Sequence, residues 1–158
     1  MTRKLGKFLL PYVIYHNGPG QAYLSRSTTD DLSTYEGDGE WYKIGIIGAR
    51  NDSTWLTRGQ TGMNFTIPST TPPGKYLLRV EHLYVRPVYG TTQFYIQCAQ
   101  IEVLDTYRRE IARLPTPEYM VKFPGAYDLV DEGESEPSTS FFLCQRRIQE
   151  AERPVKGC

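Results

Sequence analysis

Turn-forming residues break this chain at short and even intervals, in NGPG (17–20), EGDG (36–39), IIGARND (46–52), PSTTPPG (68–74) and PGAY (124–127). The runs between them are short and rich in Val, Ile, Tyr and Phe, the residues that suit a pleated, half-buried surface. That spacing reads as an all-β chain, an antiparallel immunoglobulin-like β-sandwich with long loops.

The strands are legible in the alternation. After Pro72-Pro73-Gly74, the segment KYLLRVEHLYV (75–85) places Tyr76, Leu78, Val80, His82 and Tyr84 on one face, because successive side chains of a strand point to opposite sides. EWYKIGII (40–47) is a second strand and NFTI (64–67) a shorter third. QFYIQCAQIEV (93–103) starts with Phe94, Ile96 and Cys98 on its apolar face, then changes phase to Ala99, Ile101 and Val103, which predicts a bulge or a move between sheets. TYRREIAR (106–113) suits a helical turn or two before Pro115 and Pro117. From Glu132 onward the composition turns polar and charged, and 134–158 reads as a tail outside the sandwich.

A chain of 158 residues is one domain long, and eighteen basic against eighteen acidic side chains leave no electrostatic footprint for nucleic acid. The longest apolar run, FLLPYVIY (8–15), is interrupted by Pro11 and falls far short of the roughly 20 residues of a spanning helix, so no membrane crossing is expected. Its basic preface, MTRKLGK, sketches a secretory signal, but no small-residue cleavage site follows; the run reads better as an ordinary N-terminal strand or a misplaced start of translation. Three cysteines without a CxxC pair exclude a zinc or thioredoxin motif, and in a secreted protein one of them lacks a partner within the chain. Asn51-Asp-Ser53 and Asn64-Phe-Thr66 are N-glycosylation sequons, which favour secretion.

Chemistry must use few histidines. His16 stands at the lip of the NGPG turn as a solvated residue, a general base or a metal ligand, and His82, on the apolar face of a strand, reads as a satisfied core residue. No GxSxG elbow and no phosphate-binding glycine motif occurs, and EGDGEW (36–41) lacks the oxygen ligands of an EF-hand and reads as a tight hairpin turn. Gln93 and Tyr95 share the polar face of their strand. Twelve tyrosines and two tryptophans suit either a sugar-stacking surface or a tyrosine-rich core.

Taken in order, HNGPGQAYLS, GDGEWYKI, NFTIPSTTPPGKYLLRVEH, QFYIQCAQIEV and FPGAYDLVDEG resemble the fungal auxiliary-activity family nine of lytic polysaccharide monooxygenases, over about His16 to Gly133. The resemblance divides the chain into a non-matching segment 1–14, a partial sandwich 15–133 and the tail. It implies a secreted, monomeric copper enzyme that uses an external electron donor to cleave cellulose or a related β-glucan. It implies copper ligation by His16, with Tyr95 in the axial position and Gln93 as a hydrogen-bond donor beside the oxygen site.

Three departures accompany it. The family's N-terminal histidine, which supplies copper with a ring nitrogen and an amine, has no counterpart here; Arg86 stands where the family has a further histidine; and the cysteine that Cys98 resembles pairs with an upstream cysteine absent from this chain. The expectation is a truncated or divergent member, with Cys98 unpaired or joined to a tail cysteine and with weak copper binding. The alternative is a copper-free sandwich that at most binds polysaccharide. His82, four residues before Arg86, is placed by this reading about 13 Å along the strand from the site and discounted as a substitute ligand.

Overall fold

A computed structural model describes residues 3–4, 8–9, 13–86, 92–104 and 111–126. They form an antiparallel β-sandwich. The strands are β1 (Arg3–Lys4), β2 (Phe8–Leu9), β3 (Gly20–Arg26), β4 (Trp41–Ile47), β5 (Ala49–Asn51), β6 (Thr54–Trp55), β7 (Gly62–Met63), β8 (Thr66–Ile67), β9 (Gly74–Tyr84), β10 (Gln93–Val103) and β11 (Met120–Val121). The main sheet runs β10-β9-β3-β4-β11, and the short strands pair as β1-β8, β2-β7 and β5-β6. The apolar start of the chain is thus a strand at Phe8–Leu9. A single 3-10 turn, Pro117–Tyr119, is the helical element among the described residues, and none of their helices is long and apolar enough to cross a membrane.

Strand β9 is the spine. It pairs with β3 on one side and β10 on the other, and its residues from Tyr76 to Leu83 are buried on both faces. On one face Tyr76, Leu78 and Val80 pack with Ala22, Leu24, Tyr42, Met63 and Phe65; on the other Leu77 packs with Tyr23, Tyr35 and Trp41. The alternation in KYLLRVEHLYV therefore marks two covered faces, and the charged residues of the second face must satisfy each other. Arg79 Nε donates to Glu81 Oε1 at 2.7 Å, and the guanidinium lies 4.1 Å from the centroid of the Phe123 ring.

The expected bulge in β10 is absent. Its register against β9 runs uninterrupted from Gln93↔Tyr84 to Val103↔Gly74, and the change of phase has another cause. Ala99, Ile101 and Val103 share a face with Tyr95 and Gln97, and that face is core at the Val103 end and open at the Tyr95 end. The bulge in the main sheet lies instead between β3 and β4, at Ala22/Tyr23. EGDGEW is likewise no tight hairpin turn: it closes the long connection 27–40, where Trp41 Nε1 donates to the Gly37 carbonyl at 2.8 Å.

Of the expected helical turn at 106–113, residues 106–110 lie outside the described residues and 111–113 carry no helix; the tail from 134 also lies outside. Cys98 is disulfide-bonded, so of the two expectations for it the free thiol is not met, and the bond to a tail cysteine falls on residues outside those described. The other cysteines, Cys144 and Cys158, are outside the described residues. Both sequon asparagines, Asn51 and Asn64, are exposed.

Candidate functional site

The open end of the β9–β10 core face is closed by the loop that carries His16. The loop is tied down on both sides. Ile14 N donates to Gln60 O at 2.8 Å and Gly59 N to Ile14 O at 2.7 Å; Arg58 donates to the Tyr15 carbonyl at 2.8 Å; and the buried Thr57 hydroxyl donates to Gly18 O at 2.6 Å. On the sheet side Leu83 N donates to Pro19 O at 3.0 Å. Gly18 has φ of 152°, and a Cβ there would lie 1.6 Å from the Leu83 carbonyl oxygen. No side chain fits between this loop and β9. Gly18→Ala is therefore predicted to cost at least about 2 kcal/mol by displacing the loop and forcing a non-glycine residue into a disfavoured φ; urea unfolding measures it.

Seated in this way, His16 meets three aromatic rings. It stacks on Tyr84 with centroids 3.9 Å apart and planes 14° from parallel, touches Tyr15 at 4.3 Å and faces Tyr95 at 5.9 Å. Tyr95 donates its hydroxyl hydrogen to Gln93 Oε1 at 2.7 Å, which leaves the Gln93 amide nitrogen with its two hydrogens to donate elsewhere. Arg86 is half-buried beside this group, its guanidinium 5.8 Å from the Tyr84 ring centroid. Of the tyrosines, Tyr23, Tyr35, Tyr42 and Tyr76 are core, while Tyr15, Tyr84 and Tyr95 surround His16. Tyr15 is 66% exposed.

Below them lies a cavity of about 500 Å³ lined by His16, Tyr95, Gln97, Met63, Val80 and His82, among others. The presence of His82 corrects the sequence reading. Cross-strand register sets it directly opposite Tyr95, with ring centroids 6.0 Å apart, so it belongs to the site and is not 13 Å removed along the strand. It is also a buried histidine, as the sequence reading expects. Its side chain is buried and Nδ1 lies 3.2 Å from Pro19 O, but Nε2 is buried with no hydrogen-bond partner. An unserved buried polar atom costs about 1–3 kcal/mol.

Burial holds the His82 imidazole below the usual 6.5; the field of His16 acts the same way, and main-chain contacts to Pro19 and His16 oppose it. The unfolded chain therefore takes up this proton first as the pH falls. The corresponding stability is complete above 6.5 and is lost as pH falls through 6.5 toward the lower folded value. Melting of chelator-treated protein is predicted to show that decline, and His82→Phe to flatten it.

Among the described residues no three His, Cys, Asp or Glu side chains form a metal cluster. The donors at this site are imidazole and phenol. Imidazole suits copper. The residues present are compatible with a copper ion.

The sequence profile of Auxiliary Activity family 9 (formerly GH61) matches residues 4–138. The lytic polysaccharide monooxygenase U of Thermothielavioides terrestris is 41% identical over 125 residues, covering 79% of this chain and 46% of the relative. Monooxygenase C of Emericella nidulans is 42% identical over 126 residues, covering 76% and 52%. Among solved structures, a cellulose-active polysaccharide monooxygenase from M. thermophila superposes with a TM-score of 0.62 at 26% identity, covering 82% of this chain and 59% of that one. The crystal structure of HiLPMO9B gives 0.61 at 29%, covering 82% and 56%. The chain belongs to Auxiliary Activity family 9. It spans about half the length of the curated relatives it matches.

Proposed function

We propose that this protein is a copper-dependent lytic polysaccharide monooxygenase, secreted, that cleaves cellulose or a related β-glucan with electrons from an external donor. The observation that carries the reading is the convergence of His16, Tyr95 and Gln93 at one open end of the sandwich, held there by the Gly18–Leu83 contact. Family membership and the cellulose activity named for the M. thermophila neighbour support it.

When bound, copper would supply the redox chemistry that activates oxygen for attack on a carbon of the glycosidic bond. His16 and Tyr95 would hold it. Stacking between Tyr84 and Tyr15 keeps the His16 ring from rotating, so the cost of orienting the ligand is met before metal arrives. The Tyr95 hydroxyl gives its hydrogen to Gln93, which keeps the oxygen lone pairs of Tyr95 for a metal and leaves the Gln93 amide hydrogens to donate to a reacting oxygen. Exposed Tyr15 offers an aromatic face on which the C–H face of a sugar packs.

The test is product analysis. Copper-loaded protein, ascorbate and swollen cellulose should release oligosaccharides oxidised at the chain-breaking carbon, dependent on both reductant and oxygen. Unoxidised sugars, or release that continues without reductant, would overturn the reading.

A further inference from the structure

We infer that Arg58 is a positioning residue of the candidate metal centre: its guanidinium grips the residues on both sides of His16 and so fixes where the imidazole is presented. The inference rests on the reading of His16 as a metal ligand and names the residue that holds that ligand in place.

The first argument is connectivity. One guanidinium nitrogen, Nη1, carries two hydrogens and donates to the Tyr15 carbonyl at 2.8 Å and to Asn17 Oδ1 at 3.1 Å. The Tyr15 carbonyl belongs to the peptide unit that enters His16, and Asn17 is the residue that follows it, so a single cation brackets the histidine. The ends of the loop are fixed separately, Ile14 by main-chain bonds to Gly59 and Gln60 and Gly18 by the Thr57 hydroxyl. Between those ends the holds on His16 are its ring contacts with Tyr15 and Tyr84, the contact of its main chain with His82, and Arg58. Stacking sets the plane of the imidazole; Arg58 acts on the backbone from which it springs.

The second argument is that Arg58 is itself held before it grips. An exposed hydrogen bond competes with water and contributes little when a long side chain on a mobile backbone must be ordered to make it. Here both chain neighbours of Arg58 are anchored to the loop it holds: Thr57, 1% exposed, through its hydroxyl to Gly18 O at 2.6 Å, and Gly59 through its amide to Ile14 O at 2.7 Å. The turn also closes on itself, with Arg58 N donating to Trp55 O at 3.3 Å and Gln60 N to Thr57 O at 3.1 Å. The Arg58 backbone therefore stands fixed against the loop, and the side chain alone has to be ordered. A metal ligand has to be held within about 0.5 Å of its working position, and the segment TRGQ (57–60) provides that hold from across the loop.

The chain has two histidines, so in metal-free protein His16 serves as the probe and His82 as an internal control. Arg58→Met removes both donors and keeps the apolar stem. In its ¹H–¹⁵N histidine spectrum the His16 ring signals, displaced by stacking on Tyr84, are expected to move toward those of a solvated histidine, while the signals of His82, 4% exposed, stay in place. Arg58→Lys should keep the wild-type positions, because both contacts leave from one nitrogen and an ammonium can make both. Copper(II) affinity of Arg58→Met should fall about tenfold, the lower end of the loss that follows removal of a contact supporting a metal ligand, with circular dichroism unchanged. Unmoved His16 signals, unchanged copper affinity, or both histidines moving together as in a general loosening would each overturn the inference. A wild type that takes up no copper would overturn the copper reading, and the His16 signals would still decide whether Arg58 positions the ring. Should Arg58→Met fail to fold, Asn17→Ala, which removes the 3.1 Å contact alone at an exposed residue, should move the His16 signals part of the way; no movement would overturn the inference.

Discussion

Glu81→Leu is expected to destabilise the folded chain by about 3–5 kcal/mol, because it removes the ion-pair partner of a buried guanidinium. Glu81 is fully buried, Arg79 is 5% exposed, and the two meet at 2.7 Å on a strand with sheet neighbours on both edges. With the carboxylate gone, the buried guanidinium loses its 2.7 Å ion pair, a loss that the contact with the face of Phe123, worth about 2 kcal/mol or more when desolvated, offsets in part. The double variant Arg79→Met/Glu81→Leu should recover most of the loss, since replacing both partners with apolar groups of similar volume is often neutral. Urea midpoints of the two variants separate this account from simple loss of packing, which would make the double variant worse than the single one.

His16→Ala is expected to lower oxidised-product release by more than about 100-fold, since removing even supporting contacts to a metal ligand costs about 10- to 100-fold. The side chain is half-buried and contributes nothing to either core cluster, so the fold should survive. Tyr95→Phe is the graded control: it removes the phenol oxygen and the 2.7 Å hydrogen bond to Gln93 but keeps the ring between the two imidazoles. Its expected loss is about 10- to 100-fold. Equal activity of wild type and His16→Ala would place the chemistry elsewhere.

Much of this was legible in the sequence. The alternation in 75–85 and 93–103 located β9 and β10 to within a residue, and the same-face reading of Gln93 and Tyr95 is seen in their hydrogen bond. Two errors came from treating each strand alone. The phase change in β10 suggested a bulge, whereas the cover over one face ends while the pairing continues. His82 was measured along β9 from Arg86, whereas distance across a ladder is set by register: pairing Tyr84 with Gln93 brings His82 opposite Tyr95. Same-face assignments on both strands, combined with a trial hairpin register, carried that signal. The contact of His82 Nδ1 with the Pro19 carbonyl had none, because that carbonyl reaches it from a residue 63 positions away.

The most direct measurement is calorimetric titration of the chelator-treated, folded protein with copper(II), beside His16→Ala. The account predicts one saturable copper per chain for the wild type and none for the variant at the same concentrations, with circular dichroism unchanged between them. A wild-type protein that folds but takes up no copper, or a variant that binds as the wild type does, would contradict it.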